Sequence, residues 1–214
     1  MRKSFFILLL FAIPLIGKSQ QSTLKSFLQL SVAEKKWTIG HLFIAKKAWH
    51  ITQRCRYVTD SLGKMGIPDR DPSGGKLDAF RHTFWMATLS EKIGVRKSLS
   101  LGRAHEKGDY RIFKRKRLEE GDIPDKAATD MDLFNNEIGK EIGIALKGAN
   151  EKQVVDSILK AITKGSMRII LKDTQGRSCD AYFNPIPVEN MHGKWITPRV
   201  LVPSNNLFTS KLKK

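Results

Sequence analysis

Apolar positions along this chain fall mostly at helical spacing. Between residues 39 and 63, Ile44, Ala48, Ile51, Cys55, Val58 and Leu62 recur at alternating steps of four and three. That pattern predicts one long amphipathic helix, ended by Gly63. A short helix is predicted before it, over residues 22–33. The run GIPDRDPSGG, 66–75, is dense in Gly, Pro and Asp and reads as a loop. It delivers the chain to DAFRHTFWMA, 78–87, inside a helix predicted over 76–92 and closed by Gly94. Another helix is predicted over 95–107, with Leu99, Leu101, Ala104 and His105 inward. Residues 108–124 read as charged and irregular, with KRKR at 114–117 a solvated face. Helices follow from Pro124 to residue 147 and over 151–164, the second stopped by Gly165.

The character then changes. MRIILKD, 167–173, has the composition of a strand, and TQGRS that of a turn. Residues 184–203 are rich in Pro and apolar residues, as in a strand or an extended wrap. The fold class is therefore mainly α: a compact multi-helix domain with a small C-terminal β or extended element. The domain reading is a helical domain over 20–165 and a C-terminal segment over 166–214.

Residues 1–19 stand outside that fold. Arg2 and Lys3 precede an apolar run from Phe5 to Ile16, and Gly17 and Ser19 give a small-x-small cleavage pattern. This is the form of a secretory signal peptide cut before Gln20, so export to the periplasm or beyond is expected. The formal net charge is +17, of which Arg2, Lys3 and Lys18 contribute three, leaving +14 after cleavage. Such a basic balance suits an anionic polymer or a membrane surface, and it also suits simple solubility. Lys107, Arg111 and the 114–117 run, set around Tyr110 and Phe113, are the densest candidate patch. No specific nucleic-acid fold is recognised. Cys55 and Cys179 either form one disulfide or remain two buried thiols.

The candidate chemistry lies on helix faces. Asp78, Arg81, His82 and Trp85 share one face of the 76–92 helix, flanked by Phe80 and Phe84. A face that reads as core thus carries an acid, a base and an imidazole, which are costly to bury unpaired. Asp78 and His82 lie one turn apart, close enough for the carboxylate to orient the ring. His105 and Glu106 lie on the next helix. Asp132, Asn135, Asn136, Gly139 and Gly143 make a stripe on the helix after that. Its two glycines each cost about 1 kcal/mol against Ala in a helix, so close packing or a ligand is expected against them. The three helices are predicted to converge, bringing Asp78, His82, His105, Glu106, Asp132, Asn135 and Asn136 into one cluster. Arg81 is expected to pair with Glu106 or Asp132.

These segments resemble an uncharacterised bacterial helical domain of unknown function. It occurs in small secreted proteins and near the C-termini of Rhs-type, polymorphic-toxin-like proteins. The pattern is D-A-F-R-H-x-x-W, then H-E, then M-D-x-x-N-N-x-x-G. Asp78, Arg81, His82, Trp85, His105, Glu106, Met131, Asp132, Asn135, Asn136 and Gly139 match it. Met86 stands where that family is expected to carry Asn. The resemblance implies a compact helical domain and marks the same residues; it brings no settled activity, and its toxin association suggests a hydrolase.

Three readings follow. In the first, the chain is a hydrolase acting on an anionic or phosphodiester substrate. His82 or His105 is then the general base, oriented by Asp78 or Asp132, and Glu106 a second acid–base group or metal ligand. Arg81, Trp85, Asn135 and Asn136 hold the substrate. The same donors suit a divalent metal, and the spacing does not decide whether one binds. In the second, the chain is a non-enzymatic binding module for anionic polymers. In the third, the cluster is a satisfied polar core that fixes helix register.

Overall fold

A computed structural model describes residues 26–116 and 124–206. The expected leader over 1–19, residues 22–25 of the first predicted helix, residues 117–123 of the charged stretch and the tail 207–214 lie outside the described residues. No described helix is long and apolar enough to cross a membrane.

The protein is mainly α. Residues 26–29 form one helical turn, and the chain bends at Leu30. The helix expected over 22–33 is therefore broken, and a new one, α1 (Val32–Gly40), begins after Ser31. Ser31 and Glu34 form a capping box: the Glu34 amide donates to Ser31 Oγ at 3.2 Å, and the Ser31 amide donates to Glu34 Oε2 at 2.8 Å.

The long helix is α2 (Leu42–Met65), which begins after His41 and runs past the predicted stop. Gly66, at φ 76°, supplies the left-handed cap instead. Gly63 lies inside the helix for packing: a methyl there would sit 2.7 Å from Leu77 Cδ2.

The loop 66–75 stays a loop and builds the start of α3 (Lys76–Ile93). Asp69 Oδ2 and Oδ1 accept from the Lys76 and Leu77 amides at 2.9 and 3.0 Å, satisfying two of the free donors at that terminus. Helix α3 is central, with 13 of its 18 residues buried. Such a helix must be walled on every side. Helices α2, α4 (Val95–Lys116), α5 (Lys126–Ala145) and α6 (Glu151–Thr163) all pack against it.

Helix α4 runs through Lys116, so residues 108–116 are helical rather than irregular. Phe113 is buried against Trp195 (ring centroids 5.2 Å apart), and Tyr110 meets the same indole edge-on at 4.8 Å. Phe113 thus packs on the C-terminal segment, while Tyr110 touches Trp195 and also carries Lys114, whose Nζ lies 5.7 Å over its ring.

Helix α5 seats on α3 through its glycines. A methyl on Gly139 would collide with the Thr83 carbonyl oxygen, and one on Gly143 with that of Ala87. The expected close approach is backbone against backbone.

After α6 the chain forms β1 (Arg168–Ile170), then a short helix α7 (Val188–Met191), then β2 (Leu201–Pro203). The strands pair antiparallel, Ile169 opposite Val202. Asp125, the α5 N-cap, ties the C-terminal segment down: its carboxylate accepts from the Ala128 amide at 2.9 Å and from Thr197 Oγ1 at 2.6 Å. Cys55 and Cys179 are both buried and unpaired, so they stand as two thiols.

Candidate functional site

Asp78 sits in the first turn of α3, where the helix dipole favours an anion. Its Oδ2 accepts from the Gly74 amide at 2.6 Å, and its Oδ1 accepts from the Arg81 guanidinium one turn on. Arg81 therefore pairs with Asp78, not with Glu106 or Asp132. Its Nη2 also lies 3.2 Å from His82 Nε2, and its side chain is 40% exposed, so it reaches the rim.

His82 is buried one turn after Asp78. Its Nε2 lies 3.7 Å from Asp78 Oδ1 and 3.4 Å from Asp132 Oδ1, the latter projecting from α5. Ligand atoms of these three residues all fall within 4.8 Å of one another. For bonds of about 2.0–2.2 Å, adjacent ligands of a tetrahedral ion stand roughly 3.3–3.6 Å apart. The His82–Asp132 and His82–Asp78 separations are close to that spacing.

Several buried atoms around this triangle have no hydrogen-bond partner among the described residues. They are His82 Nδ1, Asp132 Oδ1, both carboxylate oxygens of Glu106 and both amide atoms of Asn136. Asn136 lies beside the His82 ring and favours its charged form. It is the group on hand to orient the imidazole. Buried polar atoms are nearly always paired, so these are the atoms of the cluster with bonding capacity left over.

Protonation follows from burial. Burial pushes the Asp132 carboxyl well above its ordinary range, and the charges of Asp78 and Glu106 push it further. Asp78 is raised as well, because burial outweighs the Arg81 charge and the Gly74 amide. Burial lifts Glu106 to about 8 against the pull of His105. The His82 imidazole is held well below its usual value by burial and then by the Arg81 and His105 charges. Three carboxyls thus face Arg81 and a neutral His82 ring, with the charged His105 drawing on Glu106.

His105 is the second imidazole, its ring centroid 6.1 Å from that of His82. It turns outward to a residue that the sequence reading missed: its Nδ1 lies 2.9 Å from Glu34 Oε1. Burial opposes its charge, yet the bond to Glu34 and the charges of Asp109 and Glu106 raise it to about 9. Burial likewise opposes the Glu34 charge, but His105 and Ser31 hold that carboxyl down at about 2. Glu34 thus caps α1 with one oxygen and braces His105 with the other. The signal that points to it is local: SVAE, 31–34, reads as a capping box. Asp109, one turn beyond His105, is a further acid that the sequence reading passed over.

The remaining residues do other work. Trp85 donates from its indole nitrogen to Thr52 Oγ1 at 2.9 Å and meets His105 edge-on, so it walls the site. Asn135 is not with the cluster. Its Nδ2 donates to the Arg168 carbonyl at 2.9 Å and its Oδ1 accepts the Arg168 amide at 3.0 Å. Both polar atoms of that amide are engaged in clamping β1 onto α5.

No curated protein and no solved structure matches the chain. Residues 35–166 match a family described as a domain of unknown function, DUF6973. The match begins one residue after Glu34 and takes in Asp78, His82, His105, Glu106, Asp132 and Asn136. The chain therefore belongs to the DUF6973 family.

Proposed function

We propose that this protein is an exported hydrolase that holds a divalent cation through Asp78, His82 and Asp132 and cleaves an anionic, phosphodiester-class substrate. The observation that supports it most is the buried triangle of ligand atoms at 3.4 and 3.7 Å, bordered by unpartnered carboxylate oxygens. A satisfied structural core is the competing reading, and those unpartnered atoms count against it. The leader-like N-terminus supports export.

The donor set of two carboxylates and one imidazole suits Mn²⁺ or Zn²⁺. An ion there would polarise a phosphoryl oxygen and make bound water more acidic. Glu106 has both oxygens unpartnered, and its carboxyl, held protonated to about pH 8 by burial, would serve as the acid–base group once a bound cation lowers that value. Arg81, already at the rim, leaves Asp78 and turns to the substrate phosphate. His105, kept charged by Glu34, supplies a second cation beside it. The basic balance of the chain concentrates such substrates at its surface.

The test is hydrolysis of bis(p-nitrophenyl) phosphate by the full chain with and without added Mn²⁺. Turnover that needs the ion and drops about a hundredfold or more in Glu106→Gln supports the reading. Turnover that is absent with every divalent ion, or indifferent to Glu106, overturns it.

A further inference from the structure

The corner between α1 and α2 carries an unusual surface. Phe43 is fully exposed, and Ile39 and Leu42 are 61% and 68% exposed. The corner is nonetheless anchored. Trp37 is buried beneath it, donates from its indole nitrogen to Ser100 Oγ at 2.7 Å, and stacks on His41 with centroids 4.5 Å apart. His41 Nδ1 lies 2.8 Å from the Trp37 carbonyl oxygen. Three large apolar side chains are thus held out in water by a braced turn, which is the mark of a contact surface rather than of a loose loop.

The charge along the chain through this corner is of one sign. Residues 35–59 contain no Asp or Glu, and they carry Lys35, Lys36, Lys46, Lys47, Arg54 and Arg56. Arg54 is held by Glu151, whereas Lys36, Lys46 and Lys47 are exposed on the two helices that flank the tip.

We propose that the α1–α2 corner docks on an anionic lipid bilayer. Phe43, Leu42 and Ile39 enter the boundary between headgroups and acyl chains, while Lys36, Lys46 and Lys47 meet the headgroup phosphates. An apolar tip with a basic collar is what such an interface selects. A soluble polyanion would engage the lysines and leave Ile39 and Leu42 in water. A second copy would bring the same uncompensated charge to the contact and be repelled.

The experiment places an environment-sensitive fluorophore on Phe43→Cys of the full chain, with Tyr182→Cys as the control. Tyr182 is 86% exposed, and both native cysteines are buried, so the label goes to the introduced thiol. Vesicles contain phosphatidylcholine alone or equal parts of phosphatidylcholine and phosphatidylglycerol. The expected result is a blue shift and a several-fold rise in emission at position 43 with the anionic vesicles only, and none at 182. The double change Ile39→Ser with Leu42→Ser should weaken vesicle binding about tenfold or more. Three results overturn the proposal. The label at 43 stays silent with the anionic vesicles, whether or not the chain sediments with them; it responds to chain concentration without lipid; or it responds as strongly to a soluble polyanion.

Discussion

Asp132 Oδ1 lies 3.4 Å from His82 Nε2 across the α3–α5 interface and accepts no hydrogen bond. Two elements far apart in sequence bring an acid and an imidazole face to face and leave the contact unfinished. The folded chain thus tolerates a carboxyl that it does not stabilise.

Relief of that crowding should be measurable. Asp132→Asn keeps the shape and removes one of three crowded acids. The Asp132 carboxyl titrates higher folded than unfolded, so its contribution is favourable at low pH and is lost as pH rises through the folded value. At neutral pH, Asp132→Asn is therefore expected to raise the thermal midpoint by a few degrees, about 2–4 °C for each kcal/mol. At pH 4 the gain should shrink. A midpoint that falls at neutral pH would mean that Asp132 stabilises the fold.

Gly139→Ala and Gly143→Ala should do the opposite. Alanine gains about 1 kcal/mol of helix propensity at each site. Its methyl would nonetheless meet the carbonyl oxygen of Thr83 or Ala87, which no rotamer change can move aside. Each variant should lose about 1–3 kcal/mol net in urea unfolding, as overpacked interiors do. Unchanged stability would mean that α5 can lift from α3 at little cost.

Adjacent asparagines should separate cleanly. Asn135→Ala strands the Arg168 amide and carbonyl and should cost about 2–4 kcal/mol of stability. It should leave cation affinity unchanged. Asn136→Ala removes the side-chain contact to the His82 ring and no bond to the backbone among the described residues. It should cost little stability and weaken a bound cation about tenfold or more by freeing the His82 ring. Calorimetry of both variants decides the assignment, and a reversed pattern would assign the site to Asn135.

What the sequence revealed, and what it hid, follows the range of the contacts involved. The i, i+4 spacing of Asp78 and His82 is visible in one helix, so that half of the site was legible. Asp132 and Glu106 were legible as acids on glycine-bearing or polar faces, and their convergence followed from the need to bury those faces. Choosing between Asn135 and Asn136 was not feasible. They sit about 100° apart around one helix, and only the position of β1 decides which amide it takes. Glu34 was hidden because its partner lies 71 residues away, and the first helix was read as ending at residue 33, just short of it. The extension of α4 through residue 116 was hidden for a similar reason. Its charges suggested an irregular surface, and it is the distant Trp195 that packs on Phe113.

The Glu34–His105 pair gives a pH signature. Glu34 falls from 4.5 to about 2 on folding, so its contribution is present above pH 4.5 and lost as pH falls through about 2. His105 rises from 6.5 to about 9, so its contribution is full below pH 6.5 and lost as pH rises through about 9. The stability gap between the native chain and Glu34→Gln should therefore be widest between pH 4.5 and 6.5 and should narrow towards either extreme. A gap that is flat from pH 4 to 10 would show that the pair carries no charge-dependent stability.

The most direct measurement is a calorimetric titration of the full chain and of Asp132→Asn with Mn²⁺ and with Zn²⁺ at neutral pH. One equivalent of bound ion is expected in the native chain, with proton release from the crowded carboxyls, and loss of that equivalent in Asp132→Asn. Absence of binding in the native chain, or the same binding in both proteins, would contradict that expectation.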